Sequence, residues 1–147
     1  MQEKIFFLIF VIFFSLLCTI QDLKERKVSV LVLVLGIVIA FIFQLHIQGL
    51  RNSWLCALFP LGTGLFYFLV RCLTQKKLGM ADLLFGAFKG LVLCPGWPYV
   101  FASILIECLF AFFAFMIYRK KDKGRPLPFI PFMASGLLIT YILSIIL

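Results

Sequence analysis

The sequence predicts an all-α integral membrane protein of about six transmembrane helices with short loops, and three observations carry that reading. Apolar residues make up 64% of the chain and aromatic residues 17%, with a mean hydropathy of +1.15, which leaves too little polar surface to coat a water-soluble globule. The apolar residues fall in separate runs near the length that crosses a hydrocarbon core of about 30 Å. Basic residues cluster in every second connection between those runs. A chain of 147 residues used in this way forms one transmembrane domain, 1–147, with little left for a soluble part.

The runs are Ile5–Ile20, Val28–Ile47, Trp54–Leu73, Leu83–Cys94, Pro98–Tyr118 and Pro128–Leu147. The first is read as a retained span. Leu17 stands where signal cleavage ahead of Cys18 wants a small side chain. The fourth run is short: its twelve residues rise only about 18 Å as a helix, so it must thin the bilayer, extend into its flanks or be re-entrant. The connection after the first run carries Lys24, Arg26 and Lys27, the third connection Arg71, Lys76 and Lys77, and the fifth Arg119, Lys120, Lys121, Lys123 and Arg125. Eleven of the 14 basic residues thus lie on one side, against Lys4 and Arg51 on the other, with Lys89 inside the fourth run. Since Lys and Arg in short loops are retained in the cytoplasm, both termini are expected on the non-cytoplasmic side. A re-entrant fourth run would throw the five basic residues of the fifth connection outside, so six spans is the better reading. The net charge of +8 then reflects topology and anionic lipid at the inner leaflet of the bilayer. It does not point to nucleic acid, for which no soluble basic module exists.

Cys18, Cys56, Cys72, Cys94 and Cys108 form no C-x-x-C pair and read as apolar packing residues. His46 has no second ligand at a metal-binding spacing and reads as an interfacial polar tip. No cofactor and no metal are expected.

Six acidic residues occur in the chain. Glu3, Glu25 and Asp122 lie in charged tails or loops and read as solvated surface. Asp22 ends the first run, with Cys18 and Ser15 on the same helical stripe, and small side chains there let a neighbouring helix approach. Asp82 opens the fourth run and is followed by Gly86 and Gly90 on nearly the same face, a small-x-x-x-small pair of the kind that packs helices closely in membranes. The charge-derived topology sets both aspartates at one depth on the cytoplasmic side. Simpler roles are a helix cap for Asp82 and loop solvation beside Lys24 and Arg26 for Asp22. Lys89 and Glu107 fall inside apolar runs, where an unpaired ion is expensive. Lys89 lies about 10 Å along its helix from Asp82, and Glu107 about 16 Å from the inner end of its own. Two arrangements are open: an intramembrane ion pair joining the fourth and fifth spans, or separate solvation of each by water or a backbone carbonyl.

Three segments resemble the type IV prepilin peptidases, the G-x-G-D-type aspartic membrane peptidases. They are Asp22-Leu23-Lys24-Glu25-Arg26-Lys27-Val28-Ser29, the Gly79-Met80-Ala81-Asp82 that opens the fourth run after Lys77, and Pro128-Phe129-Ile130-Pro131-Phe132-Met133-Ala134-Ser135-Gly136. The family patterns are D-x-[KR]-x-[KR]-x-[IV]-P, G-x-G-D and a late P-F-x-P-F-x-[AS]-x-G. Ser29 stands in place of the usual proline, Ala81 in place of the commonest second glycine and Leu84 in place of a frequent lysine. The resemblance implies a multi-pass protein of the prokaryotic plasma (inner) membrane serving type IV pili or protein secretion. It implies Asp22 and Asp82 as a catalytic pair that activates water at the cytoplasmic face, and prepilin-like precursors, cut after a short basic leader, as the protein substrates. It implies no cofactor. The likeness is to the minimal, peptidase-only forms, without the C-x-x-C segment associated with N-methylation. Two carboxylates sharing one proton suit such chemistry, one acting as base on water and the other as acid on the scissile carbonyl, and their titration belongs to the pair. Other classes stay open: a small transporter or proton channel, and a pilus-assembly homologue that has lost activity.

Overall fold

The structure, a computed structural model, describes residues 2–25, 27–73, 79–118 and 128–146. Arg26, Lys76, Lys77 and the basic fifth connection at 119–125 lie outside them. The described residues form six α-helices and no strand: α1 (Gln2–Glu25), α2 (Val30–Gln48), α3 (Ser53–Leu73), α4 (Met80–Val92), α5 (Trp97–Tyr118) and α6 (Ile130–Ile146), with a single 3-10 turn at Leu50–Asn52. Four of them, α1, α2, α3 and α5, are long and apolar enough to cross a membrane, and α6 is a shorter apolar helix.

Each helix buries the stripe its sequence offers. In α1 the buried positions are Phe7, Val11, Phe14, Ser15, Cys18 and Asp22, steps of three and four that line one face. The helix runs past Ile20 to Glu25 because Gln21 to Glu25 contains neither glycine nor proline to stop it. Asp22 is therefore an intrahelical residue of the last turn rather than a loop residue. The α2 face is Leu33, Gly36, Ala40 and Gln44, and the helix stops at Gly49, whose φ of 75° only glycine adopts cheaply. The opposite faces of α1, α2, α3 and α5 carry exposed Phe13, Leu31, Leu61 and Phe112 among many others, a surface suited to lipid.

The shortest helix, α4, occupies the interior. From Phe85 to Cys94 every residue but Ala87 is buried, as α4 packs against α3, α2 and α6, while α1 lies on α6 and α2, and α5 lies on α6. An aromatic cluster joins four of these helices: Phe14 of α1 sits 4.7 Å from Phe88 of α4, and Phe7 of α1 sits 5.5 Å from Phe43 of α2 and 5.9 Å from Tyr141 of α6, ring centroid to centroid.

The helix in the fourth run differs from the expected Leu83–Cys94. It begins three residues earlier and ends at Val92, giving 13 residues or roughly 20 Å, and it is not among the helices long enough to cross a membrane. Pro95 and Gly96 limit the helix, and side chains of α2 complete its end. Gln44 Nε2 donates to the carbonyls of Leu91 and Val92, each at 3.1 Å, and Gln48 Nε2 donates to that of Cys94 at 2.9 Å. The last carbonyls of a helix need partners wherever water is scarce, and α2 supplies them, so α4 can terminate inside the protein.

Candidate active site at one end of the bundle

The two aspartates lie at the same end of the bundle. Asp22, 7% exposed, accepts a hydrogen bond at its Oδ2 from the backbone N–H of Ile130, 3.3 Å away. Ile130 is the first residue of α6, so the carboxylate faces a helix N-terminus, where free N–H groups and the helix dipole favour negative charge. The Pro128-Phe129-Ile130-Pro131 segment thereby delivers α6 onto Asp22. Further along that segment Gly136 seats α6 on α5: a Cβ there would stand 2.7 Å from the Ser103 carbonyl oxygen.

Asp82 occupies the third position of α4. Its Oδ2 accepts the backbone N–H of Gly79 at 2.8 Å, so it closes the helix start from inside the first turn instead of serving as the N-cap, a position that Gly79 takes. Asp82 precedes the apolar segment 83–94 and lies outside it, at the mouth of the helix. Partial burial pushes its carboxyl up from the ordinary range to about 6; the Gly79 N–H works against that rise, the Asp22 charge adds to it and the Arg71 charge opposes it. Asp22 and Asp82 are thus within electrostatic reach of each other, and the Asp82 carboxyl lies closer to neutrality than an ordinary aspartate.

Helix α4 runs antiparallel to α3 in a tight register set by glycines. A Cβ on Gly90 would lie 2.8 Å from the Phe59 carbonyl and closer still to Thr63, and one on Gly86 would overlap the Tyr67 ring. The small-x-x-x-small pair beside Asp82 is therefore the seat of α3. At the next step of this ladder Arg71 Nη1 donates to Met80 Sδ at 3.5 Å, over the first turn of α4.

Below the aspartates, Lys89 and Glu107 meet: Nζ to Oε2 is 2.7 Å, with both side chains at most 1% exposed. Tyr67 joins them, its hydroxyl donating to Glu107 Oε1 and accepting from Lys89 Nζ. Of the two arrangements open from the sequence, the ion pair is the one adopted. It ties α4 to α5 directly, and Tyr67 ties both to α3.

From the sequence Arg71 reads only as a topological charge, and Tyr67, Thr63, Gln44 and Gln48 carry no assigned role. A signal for three of them was present, because Thr63, Tyr67 and Arg71 recur every fourth residue on one face of α3, the spacing that Asp82, Gly86 and Gly90 follow on α4. Among the described residues no group of three or more His, Cys, Asp or Glu could hold a metal. His46 pairs with exposed Glu3 at 3.3 Å. The thiols of Cys56 and Cys94, remote in sequence, interact at the end far from the aspartates. That end also holds a cavity of about 500 Å³ bordered by Lys4, Gln44, Gln48, Asn52, Tyr99 and Ser144.

Comparison of the chain with protein-family models, with curated proteins and with solved structures finds no match.

Proposed function

We propose that this protein is a membrane aspartic endopeptidase of the prepilin peptidase type, removing a short basic leader from pilin-like precursors by an Asp22/Asp82 dyad. The observation that carries the reading is the coupling of two carboxylates at one end of an apolar bundle, with the Asp82 carboxyl raised to about 6 by burial first, with a further contribution from Asp22. Two of the three segments behind the family resemblance touch, Asp22 accepting from the start of α6, and Asp82 of the remaining one is within electrostatic reach of Asp22.

In this mechanism Asp22, facing the α6 N-terminus, acts as the base and takes a proton from the attacking water. Asp82 holds the other proton and gives it to the scissile carbonyl oxygen as the tetrahedral intermediate forms. As the C–N bond breaks, the proton gained by Asp22 passes to the departing amine and a hydroxyl of the diol returns a proton to Asp82, which restores the pair. The membrane arrangement that goes with it has six spans, both termini on the non-cytoplasmic side and the dyad at the cytoplasmic face of a prokaryotic inner membrane. In it α4 is the span whose far end is completed by Gln44 and Gln48.

The test is to incubate membranes containing the protein with a prepilin-type precursor and to look for a shortened product, with Asp22→Ala and Asp82→Ala in parallel. Each substitution abolishes cleavage while the protein still accumulates. Full activity in either variant refutes the dyad, and an inactive wild type across several precursors favours the degenerate homologue. A second reading, a small transporter or proton channel, draws on the buried Lys89–Glu107–Tyr67 group, since intramembrane charges commonly mark ion pathways. None of those three residues borders the far cavity.

A further inference from the structure

We propose that Arg71 is a positioning residue for the carboxylate pair, its guanidinium standing over the first turn of α4 so that Asp82 stays in register with Asp22 and its negative charge is compensated. The inference rests on the reading of Asp22 and Asp82 as an acid–base pair and adds a third member that the family resemblance did not supply.

Geometry leads to Arg71 from two directions. Along the α3–α4 ladder Gly90 receives Thr63 and Gly86 receives Tyr67, and a further step of four residues on each antiparallel helix arrives at Arg71 and Asp82. At that step Arg71 Nη1 reaches Met80 Sδ at 3.5 Å, two residues before Asp82. The close approach of the two helices fixes where the α3 end stands relative to the α4 start. A long side chain leaving the last turn of α3 is thereby brought within electrostatic reach of the Asp82 carboxyl.

The charges around Asp82 give this placement its consequence. From α1 comes Asp22, which opposes ionisation of Asp82; from α3 comes Arg71, which favours it; from its own helix start comes the Gly79 N–H, which also favours it. Tyr67 of α3 is within electrostatic reach and is engaged by Lys89 and Glu107. The described part of α2 facing this end, Val30–Phe43, has no ionisable side chain, and in α6 the ionisable residue is Tyr141 near the opposite end. Lys24, Glu25 and Lys27 are exposed, and Lys76 and Lys77 lie outside the described residues. When the pair loses its one proton to solvent, both carboxylates are ionised together. Two adjacent anions in a partly dehydrated site repel strongly, and Arg71 is the cation set to offset that repulsion.

The experiment reads the Asp82 proton without any substrate. A hydrophobic carbodiimide reacts with a protonated carboxyl in the membrane, and the fraction of Asp82-containing peptide modified, measured by mass spectrometry against pH, traces its titration. Arg71→Met and Arg71→Gln extend labelling to higher pH by about one unit, the low end of what a neighbouring opposite charge contributes, whereas Arg71→Lys keeps most of the wild-type profile. The alkaline limb of cleavage moves the same way, through kcat more than KM. A profile that superposes on wild type in either neutral variant overturns the proposal. Should neither neutral variant accumulate, failure of Arg71→Lys as well overturns it in favour of a packing role, and accumulation of Arg71→Lys with the wild-type limb supports it. Since labelling needs no precursor, a shifted limb in a protein that cleaves nothing refutes the peptidase reading alone, and cleavage with an unmoved limb refutes Arg71 alone.

Discussion

Replacing Lys89 by methionine removes a cation that touches both Glu107 and Tyr67 in an interior where the pair is at most 1% exposed. Methionine fills most of the volume, so the loss is electrostatic rather than a cavity. Glu107 is left with the Tyr67 hydroxyl and escapes by taking a proton. From the ordinary carboxylate value, neutralising a glutamate at pH 7 costs about 3–4 kcal/mol, which matches the roughly 3–5 kcal/mol found when one partner of a buried pair is deleted. Lys89→Met is therefore destabilised by about 3 kcal/mol at pH 7, and by roughly 1 kcal/mol at pH 5, where the proton is cheap. Glu107→Gln strands the ammonium and is destabilised by a similar amount. The double variant leaves no uncompensated charge and loses about 1–2 kcal/mol, so the cycle shows a coupling of about 4–5 kcal/mol. Unfolding in mixed detergent micelles can be followed through Trp97, whose ring lies 4.3 Å from that of Phe59. Additive single effects, or two harmless single variants, refute the reasoning.

Three more outcomes follow from the same geometry. Because the Asp82 carboxyl is raised to about 6 from 3.8, the folded state holds that proton more tightly than the unfolded chain, and the associated stability is complete below about pH 4 and lost as pH rises through 6. Asp82→Asn accordingly raises thermal stability at pH 8 by about 1–2 kcal/mol, less than the full shift gives because the group is partly exposed, and changes nothing at pH 4; a stabilisation equal at both pH values refutes this. Gly90→Ala puts a methyl 2.8 Å from the Phe59 carbonyl, forces α3 away from α4 and costs about 2 kcal/mol or more; a neutral thermal shift contradicts the close packing. Exposed Cys72, one residue from Arg71, is modified by an impermeant thiol reagent from the cytoplasmic side, and a reporter fused after Leu147 reads out on the other; labelling from the opposite face overturns the orientation.

How far the sequence reached differs from residue to residue. The helical class, the bounds of α2 and α3 to within a few residues, and the buried stripe of Ser15, Cys18 and Asp22 were legible, because in an apolar chain the polar residues are few and their spacing has one helical solution. Asp22, Asp82, Lys89 and Glu107 stood out for the same reason: an ion in an apolar run is conspicuous and expensive. The exact end of α4 was not legible. Pro95 and Gly96 limit the helix from beyond Cys94, but the partners of its last carbonyls are a pair of glutamines more than forty residues away. Nor could the chain by itself say that Lys89 finds Glu107 and Tyr67, that Arg71 faces the first turn of α4, or that α6 begins on Asp22. Those contacts depend on which helices are neighbours and on how far each slides along the next. Close-packed glycines and interhelical hydrogen bonds fix that register, and both act only between segments already brought together by the tertiary fold.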